Sequence, residues 1–89
     1  MRRALNELDE AAAYVAEDNP QVAGEMYWHI KSRIEVLRQF PELGRPGRVS
    51  GTRELVISRF PFLVPYRIVG SEVQILRIFH TRRKLPQKW

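Results

Sequence analysis

The side chains most capable of chemistry are basic and lie in the second half of the chain. Four follow the last predicted strand and four fall on or beside the strands: His80, Arg82, Arg83, Lys84, Arg53, Arg59, Arg67 and Arg77. Cleavage of a phosphodiester needs proton donors and acceptors, together with cations that stabilise the charged transition state. For such a reaction the catalytic candidates are His80 and Arg82. Weaker candidates are Glu54 for proton transfer and Arg67 for charge stabilisation.

The same basic groups also suit the binding of an acidic partner without any reaction. Residues 1–44 carry a net charge of −3 and residues 45–89 a net charge of +8, within a total of +5. Such asymmetry indicates a basic face for nucleic acid, a ribosome or an acidic protein segment. The residues assigned to target binding are Arg53, Arg82, Arg83 and Lys84. Arginines on strands are equally consistent with cross-strand ion pairs, and a simple nucleic-acid-binding module would need only this basic half.

Several other classes of site are poorly supported by the sequence. The chain has 89 residues and no cysteine, which excludes disulfide frameworks, zinc–thiolate sites and cysteine nucleophiles. Its two histidines, His29 and His80, have no partner at metal-ligand spacing, so we expect no metal and no cofactor. No apolar run approaches the roughly 18 residues of a membrane span, and the N-terminus lacks a signal-peptide pattern. We therefore expect a cytoplasmic protein without a membrane partner.

The elements that must position these residues begin with two helices. Apolar residues recur at spacings of three and four over about residues 3–17, which is typical of one face of an amphipathic helix. Asn19 can cap a second helix that has proline at its first position and should end near Gln39. So short a connection predicts an antiparallel helical hairpin over residues 3–40.

The second half of the chain has the pattern of strands. After a loop rich in glycine and proline, the apolar residues recur at every second position. Pro65 conflicts with its place in the middle strand because proline cannot donate to a ladder, so we expect an unpaired side or a bulge there. The predicted segments are the loop 41–51, the antiparallel meander 52–80 with strands 52–59, 62–69 and 72–79, and the basic tail 81–89. Residues 1–89 are thus predicted to form one α+β domain, with the helical hairpin packed on a small antiparallel sheet of three or more strands.

A series of short motifs runs along nearly the whole chain: Asp18–Pro20, Phe40–Pro46, Gly51–Leu55, Tyr66–Arg67 and Ile75–His80. In this order and spacing they resemble the RelE/ParE toxins of type II toxin–antitoxin systems. The resemblance implies a helical hairpin packed on a curved antiparallel sheet, which agrees with the patterns above. It also implies a toxin that a cognate antitoxin neutralises. The apolar flank of the hairpin, with Tyr27 and Trp28, suits docking of that antitoxin.

Two departures from the family pattern bear on what the resemblance implies. Family members begin with a strand, whereas the first helix here starts almost at the first residue, so that strand is absent from this chain or its start is misassigned or truncated. RelE-like nucleases place lysines and an arginine where this chain has Glu54, Val56 and Leu63, and only Arg82 matches their pattern. The ending Ile75–His80 resembles ParE members, which inhibit DNA gyrase. We therefore favour a gyrase inhibitor, with a ribosome-dependent mRNA endonuclease as the alternative.

Overall fold

Two helices and then five short strands make up the regular structure of the described residues. This computed structural model describes residues 2–82 and 85–89. In chain order the elements are α1 (Arg2–Asp18), α2 (Pro20–Val36), β1 (Arg45–Pro46), β2 (Arg53–Ile57), β3 (Phe62–Val69), β4 (Glu72–Ile75) and β5 (Phe79–His80). Within the described residues α1 is the first element, and no strand precedes it.

The helical hairpin turns sharply because its connection caps the second helix. The Asn19 side chain accepts a hydrogen bond of 3.1 Å from the backbone N–H of Val22, and proline occupies the first helical position. Both features deal with backbone N–H groups that have no partner inside the helix, as the sequence predicted. The two helices bury a small set of apolar residues between them and the sheet: Ala4, Leu8, Ala23, Met26 and Ile30.

The strands form one antiparallel sheet in the order β1-β2-β3-β4, and β5 pairs with β3 beyond the end of β4. The predicted α+β class, with a helical hairpin on an antiparallel sheet, is therefore confirmed. The second helix ends at Val36, before the predicted end near Gln39, and two details of the sheet also differ from the prediction. The predicted loop over residues 41–51 contains β1, and the predicted third strand is divided into β4 and β5.

Pro65 explains this division. Ile75 pairs with Tyr66 and Phe79 with Leu63, so three residues of one strand face two of the other. The backbone N–H groups of Leu76 and of the next residue both approach the Pro65 carbonyl, at 2.9 and 3.4 Å. Proline has a carbonyl but no N–H to offer on that side, and the bulge uses only the carbonyl. The sequence left open an unpaired side or a bulge, and the structure has the bulge.

The core lies between the helices and one face of the sheet, here called the inner face. Tyr66 is fully buried there, and its hydroxyl donates to the Pro41 carbonyl at 2.6 Å and accepts from the Gly44 N–H at 2.8 Å. A Cβ at position 44 would lie 2.6 Å from the tyrosine ring, so this close approach requires glycine. The hydroxyl thereby ties the segment before β1 to the core.

The opposite face of the sheet, the outer face, is partly covered by the end of the chain. Leu63 alternates with the core residues of β3 and therefore points outward, yet it is only 2% exposed. Its cross-strand partner Phe79 contacts Trp89, with the ring centroids 5.4 Å apart. The segment predicted as a basic tail thus returns to the sheet at its last residue, while Arg83 and Lys84 lie outside the described residues.

Candidate functional site

A groove of about 590 Å³ lies between α1 and β5 and contains the two main catalytic candidates. The His80 ring packs edge-on against Phe62, with centroids 5.3 Å apart, and its Nδ1 accepts the backbone N–H of Arg82 at 3.2 Å. Glu10 and Tyr14 of α1 line the opposite wall. The structure therefore brings His80 and Arg82 to one groove, with a carboxylate on its opposite wall.

Glu7 joins the floor of this groove to the helix. Its carboxylate accepts two hydrogen bonds from the Arg77 guanidinium, at 2.9 and 2.8 Å, and one from the backbone N–H of Ile78 at 3.1 Å. Both ionised side chains are largely buried, which makes the pair stronger than an ion pair in open solvent. These contacts fix α1 to the bulge, and they give the backbone N–H of Ile78 an acceptor at the edge of the sheet.

Glu54, predicted as a weaker catalytic candidate, is buried on the outer face at 3% exposure. Arg45 donates to one carboxylate oxygen at 3.1 and 3.3 Å, and the side chain and backbone of Arg48 donate to the other at 3.1 and 2.9 Å. Burial alone raises the pKa of Glu54, but the hydrogen bonds from Arg48 and then Arg45 outweigh it and hold this pKa below its ordinary value. The geometry therefore favours a fixed internal counter-ion over a proton carrier.

The strand arginines are mostly occupied within the chain. Arg53, assigned to target binding, donates to the carbonyls of Glu42 and Gly44 at 3.2 and 2.7 Å. The other pairs are Arg59 with Glu25 at 3.4 Å and Arg67 with Gln74 at 2.7 Å. By contrast, Arg82 is exposed, and its guanidinium has no partner among residues 2–82 and 85–89. Arg83 and Lys84, also assigned to target binding, lie outside the described residues.

The four catalytic candidates lie on two different faces of the sheet. His80 pairs directly with Phe62, whose side chain is in the core, so the histidine is on the inner side. Glu54 pairs with Pro65, which alternates with the core residues of β3, so both lie on the outer face. Arg67 lies two positions after Pro65 and is therefore on that face too. His80 and Arg82 are brought together, whereas Glu54 and Arg67 are separated from them by the sheet.

An aromatic surface on α2 contains both residues assigned to antitoxin binding. Trp28 is 68% exposed and packs edge-on against the Tyr27 ring, with centroids 5.7 Å apart. The Lys31 ammonium lies over both rings, 5.5 Å from the tyrosine centroid and 5.9 Å from the tryptophan centroid. The lysine was not anticipated from the sequence, although its position one helical turn after Tyr27 was a usable signal.

Trp89 holds the last described segment against the β1–β2 loop. Its indole N–H donates to the Thr52 hydroxyl at 3.3 Å, and the Arg48 guanidinium lies 5.0 Å from the centre of its ring. The same arginine binds Glu54, so one chain of contacts joins the outer face, the loop and residue 89. No local signal identifies this arrangement, because Thr52 and Trp89 are 37 residues apart.

Metal and membrane sites find no support in the described part of the chain. Its His, Asp and Glu side chains form no cluster of three or more that would hold a metal ion. Neither described helix has the length and apolar character needed to cross a membrane.

The hairpin over an antiparallel sheet, with its groove beside β5, defines an α+β domain of the RelE/ParE type. A solved structure of the chromosomal ParDE TA system from P. aeruginosa resembles it with a TM-score of 0.83 and 34% identity, over 90% of this chain and 89% of that one. The family described as the ParE toxin of type II toxin–antitoxin system, parDE, matches residues 1–85, and this chain belongs to it.

Two relatives show the same membership at the sequence level. Y4kP of Sinorhizobium fredii is 41% identical over 85 residues, which are 96% of this chain and 88% of that protein. Toxin RelE2 of Caulobacter vibrioides is 32% identical over 81 residues, which are 91% of this chain and 90% of the relative. The matching family carries the ParE name and one of these relatives the RelE name, so the family assignment leaves the molecular target to be decided by other observations.

Proposed function

We propose that this toxin arrests growth by inhibiting DNA gyrase without cleaving nucleic acid, and that a cognate antitoxin neutralises it. The observation that carries the proposal is the separation of the catalytic candidates. His80 and Arg82 lie in the groove beside α1, while Glu54 and Arg67 lie on the other face of the sheet.

This separation matters because phosphodiester cleavage needs a base, an acid and a cation around one phosphate. Each must come within hydrogen-bonding reach of the atom it serves, about 3 Å. Side chains on opposite faces of a sheet cannot meet that condition together. Glu54 is further removed from such a role, since Arg45 and Arg48 occupy both of its oxygens.

Binding of the target is assigned to the basic residues that remain available. Arg82 is exposed at the mouth of the groove, and Arg83 and Lys84 follow it in the sequence. Arg53 contributes less in this proposal because its guanidinium binds two backbone carbonyls. The exposed Tyr27–Trp28 surface is assigned to the antitoxin.

A supercoiling assay with purified gyrase and purified toxin tests the proposal. We expect inhibition at micromolar toxin, together with intact transcripts when translated mRNA is examined by primer extension after induction. The triple variant with alanine at Arg82, Arg83 and Lys84 should inhibit less than wild type at low salt, and the difference should shrink as salt rises, because screening weakens the contacts that the wild type makes through these charges. Normal supercoiling at micromolar wild-type toxin would overturn the proposal.

A ribosome-dependent mRNA endonuclease is the second candidate, favoured by the shared position of His80 and Arg82 in one groove. If it is correct, His80→Ala and Arg82→Ala should each lower cleavage by orders of magnitude while the melting temperature stays unchanged. Primer extension would then show codon-linked cuts. For the gyrase inhibitor, His80→Ala should leave growth arrest nearly intact.

A further inference from the structure

The groove between α1 and β5 has an apolar lining as well as charged residues. Its volume of about 590 Å³ falls within the range of roughly 300–1,000 Å³ in which proteins bind compact ligands. The apolar residues of the lining come from α1, from the strands and from the segment after them: Ala11, Val15, Phe62, Ile78 and Leu85. An apolar side chain of a partner that entered the groove would therefore be removed from water on several sides.

One side of α1 forms a wall of this groove. Its lining residues recur at helical spacing along that side: Glu7, Glu10, Ala11 and Tyr14. The Tyr14 side chain is 67% exposed, although it lies beside apolar residues of the lining. Tyrosine is enriched in the interfaces of protein complexes, where its ring is buried by the partner. The wall thus carries an aromatic contact that the rest of this chain leaves open to solvent.

The charges of the lining distinguish a protein partner from a nucleic acid. Glu7 and Arg77 neutralise each other through hydrogen bonds of 2.9 and 2.8 Å. Glu10 and Arg82 are exposed, and within residues 2–82 and 85–89 neither side chain forms an ion pair. A nucleic acid is bound through an excess of lysine and arginine over acidic residues. The described lining has two carboxylates and two guanidinium groups, so it lacks that excess and suits a partner that carries both signs of charge.

We infer that the groove binds a segment of the gyrase polypeptide itself and not the DNA that gyrase holds. The segment buries an apolar side chain against Ala11 and Val15, under the Tyr14 ring. A carboxylate of the segment pairs with Arg82, and a cationic side chain pairs with Glu10. The inference rests on the proposed function, because it takes gyrase as the target of this toxin.

Ala11→Leu tests the groove because it fills the cavity without altering any charge. The toxin concentration that gives half-maximal inhibition of supercoiling should rise about tenfold or more, since the added atoms occupy the space of the partner's side chain. The matched control is Ala13→Leu, which lies on the same helix at an exposed position outside the described lining and should leave inhibition unchanged. Both variants should melt within about 4 °C of wild type.

Tyr14→Ala provides a second variant whose folding is not at risk. Its side chain is largely exposed, so its removal should leave the melting temperature within about 4 °C of wild type. The concentration for half-maximal inhibition should still rise about fivefold, because the variant lacks the ring that covers the bound side chain.

Glu10→Gln separates a protein partner from a nucleic acid by the sign of its effect. Binding to immobilised gyrase without DNA, followed by surface plasmon resonance, should weaken about threefold, and the difference from wild type should shrink at high salt. A labelled DNA duplex in the groove, followed by fluorescence anisotropy, would instead bind more tightly, because a repelling charge is removed. Asp9→Asn removes the same charge at an exposed position outside the described lining and is the control.

The outcomes distinguish this inference from the proposed function. If wild type inhibits gyrase but Ala11→Leu and Tyr14→Ala inhibit equally well, the groove is not the binding site and the inference fails alone. If wild type does not inhibit gyrase, the proposed function fails and the inference fails with it. If Glu10→Gln binds the duplex more tightly and gyrase unchanged, the occupant is a nucleic acid and the inference is overturned. If Ala11→Leu loses only its affinity for the polypeptide encoded by the adjacent gene, the groove belongs to the antitoxin, which also overturns the inference.

Discussion

A carboxylate among arginines can serve as a proton carrier or as a counter-ion, and at Glu54 the contacts decide between the two. Its spacing from other basic residues made it a candidate for chemistry. In the structure Arg45 and Arg48 surround it, and a backbone N–H completes its hydrogen bonds. A buried carboxylate with all of these donors is stable in its charged form. At the residue scale, the contribution of Glu54 is therefore to folding of the β1–β2 loop.

Glu54→Gln keeps the shape of the side chain and removes its charge. We expect the free energy of unfolding to fall by about 1–3 kcal/mol at pH 7, because two guanidinium groups lose their acceptor. We expect the lower end of this range, because the Arg45 side chain is 60% exposed and can be hydrated in the variant. Urea denaturation measures the change. A free energy of unfolding for Glu54→Gln equal to that of wild type would contradict the role of Glu54 as an internal counter-ion.

The lowered pKa of Glu54 also makes the stability of the protein depend on pH. Folding lowers the pKa of Glu54 below its ordinary value of 4.5, so near that pH the unfolded chain binds more protons than the folded one. The stabilisation is complete above the unfolded pKa and is lost as the pH falls through the lowered folded pKa. Wild type should therefore lose its advantage over Glu54→Gln as the pH falls below 4.5. A difference that stays constant into strong acid would count against this linkage.

At the scale of elements, the parts of the fold with local signals were predictable. The cap at Asn19 and the spacing of apolar residues define the two helices, and alternation defines the main strands. Pro65 signalled a disturbed ladder, and the bulge opposite it divides the last strand. Each of these features depends on residues that are close together in the sequence, through their dihedral preferences, their apolar periodicity or their backbone N–H groups.

Features that depend on distant partners were not predictable in the same way. β1 has two residues and exists through its pairing with β2, so its own sequence resembles a loop. Alternation also places Ile68 in the core, but it is 36% exposed near the β3–β4 turn. Periodicity distinguishes the two faces of a strand, but it does not reveal how much of the inner face the helices cover.

Ile30→Ala tests the core at the element scale. Ile30 is predicted from its spacing to face the sheet and is fully buried in α2. Its truncation should lower the free energy of unfolding by about 2–5 kcal/mol, because the removed methyl groups leave a cavity. Trp28→Ala, in the same helix but exposed, should change stability by less than about 0.5 kcal/mol. Chemical denaturation of both variants gives the comparison, and an unchanged Ile30→Ala would place this residue outside the core.

At the scale of the whole molecule, pairing across long distances explains why charge counting was a poor guide to the candidate site. Arg77 is neutralised by Glu7, which lies 70 positions earlier, and Arg59 by Glu25, which lies 34 positions earlier. The acidic first half of the chain thus supplies counter-ions to the basic second half. Arg82, by contrast, is exposed, and its guanidinium has no hydrogen bond or ion pair among the described residues, which only the fold reveals.

The last prediction concerns the contact that closes the outer face. Trp89→Ala removes the packing on Phe79, the stacking with Arg48 and the hydrogen bond to Thr52. We expect a loss of about 1–3 kcal/mol in the free energy of unfolding, because the side chain is half-buried and its polar contact is single. Amide hydrogen exchange should become faster within residues 45–52, where the indole is docked, while exchange in α2 is unchanged at matched stability. Lys88→Ala is the control, since this neighbour is exposed and should leave both measurements within error. Equal protection of the loop in wild type and Trp89→Ala would show that residue 89 only rests on a surface that is already ordered.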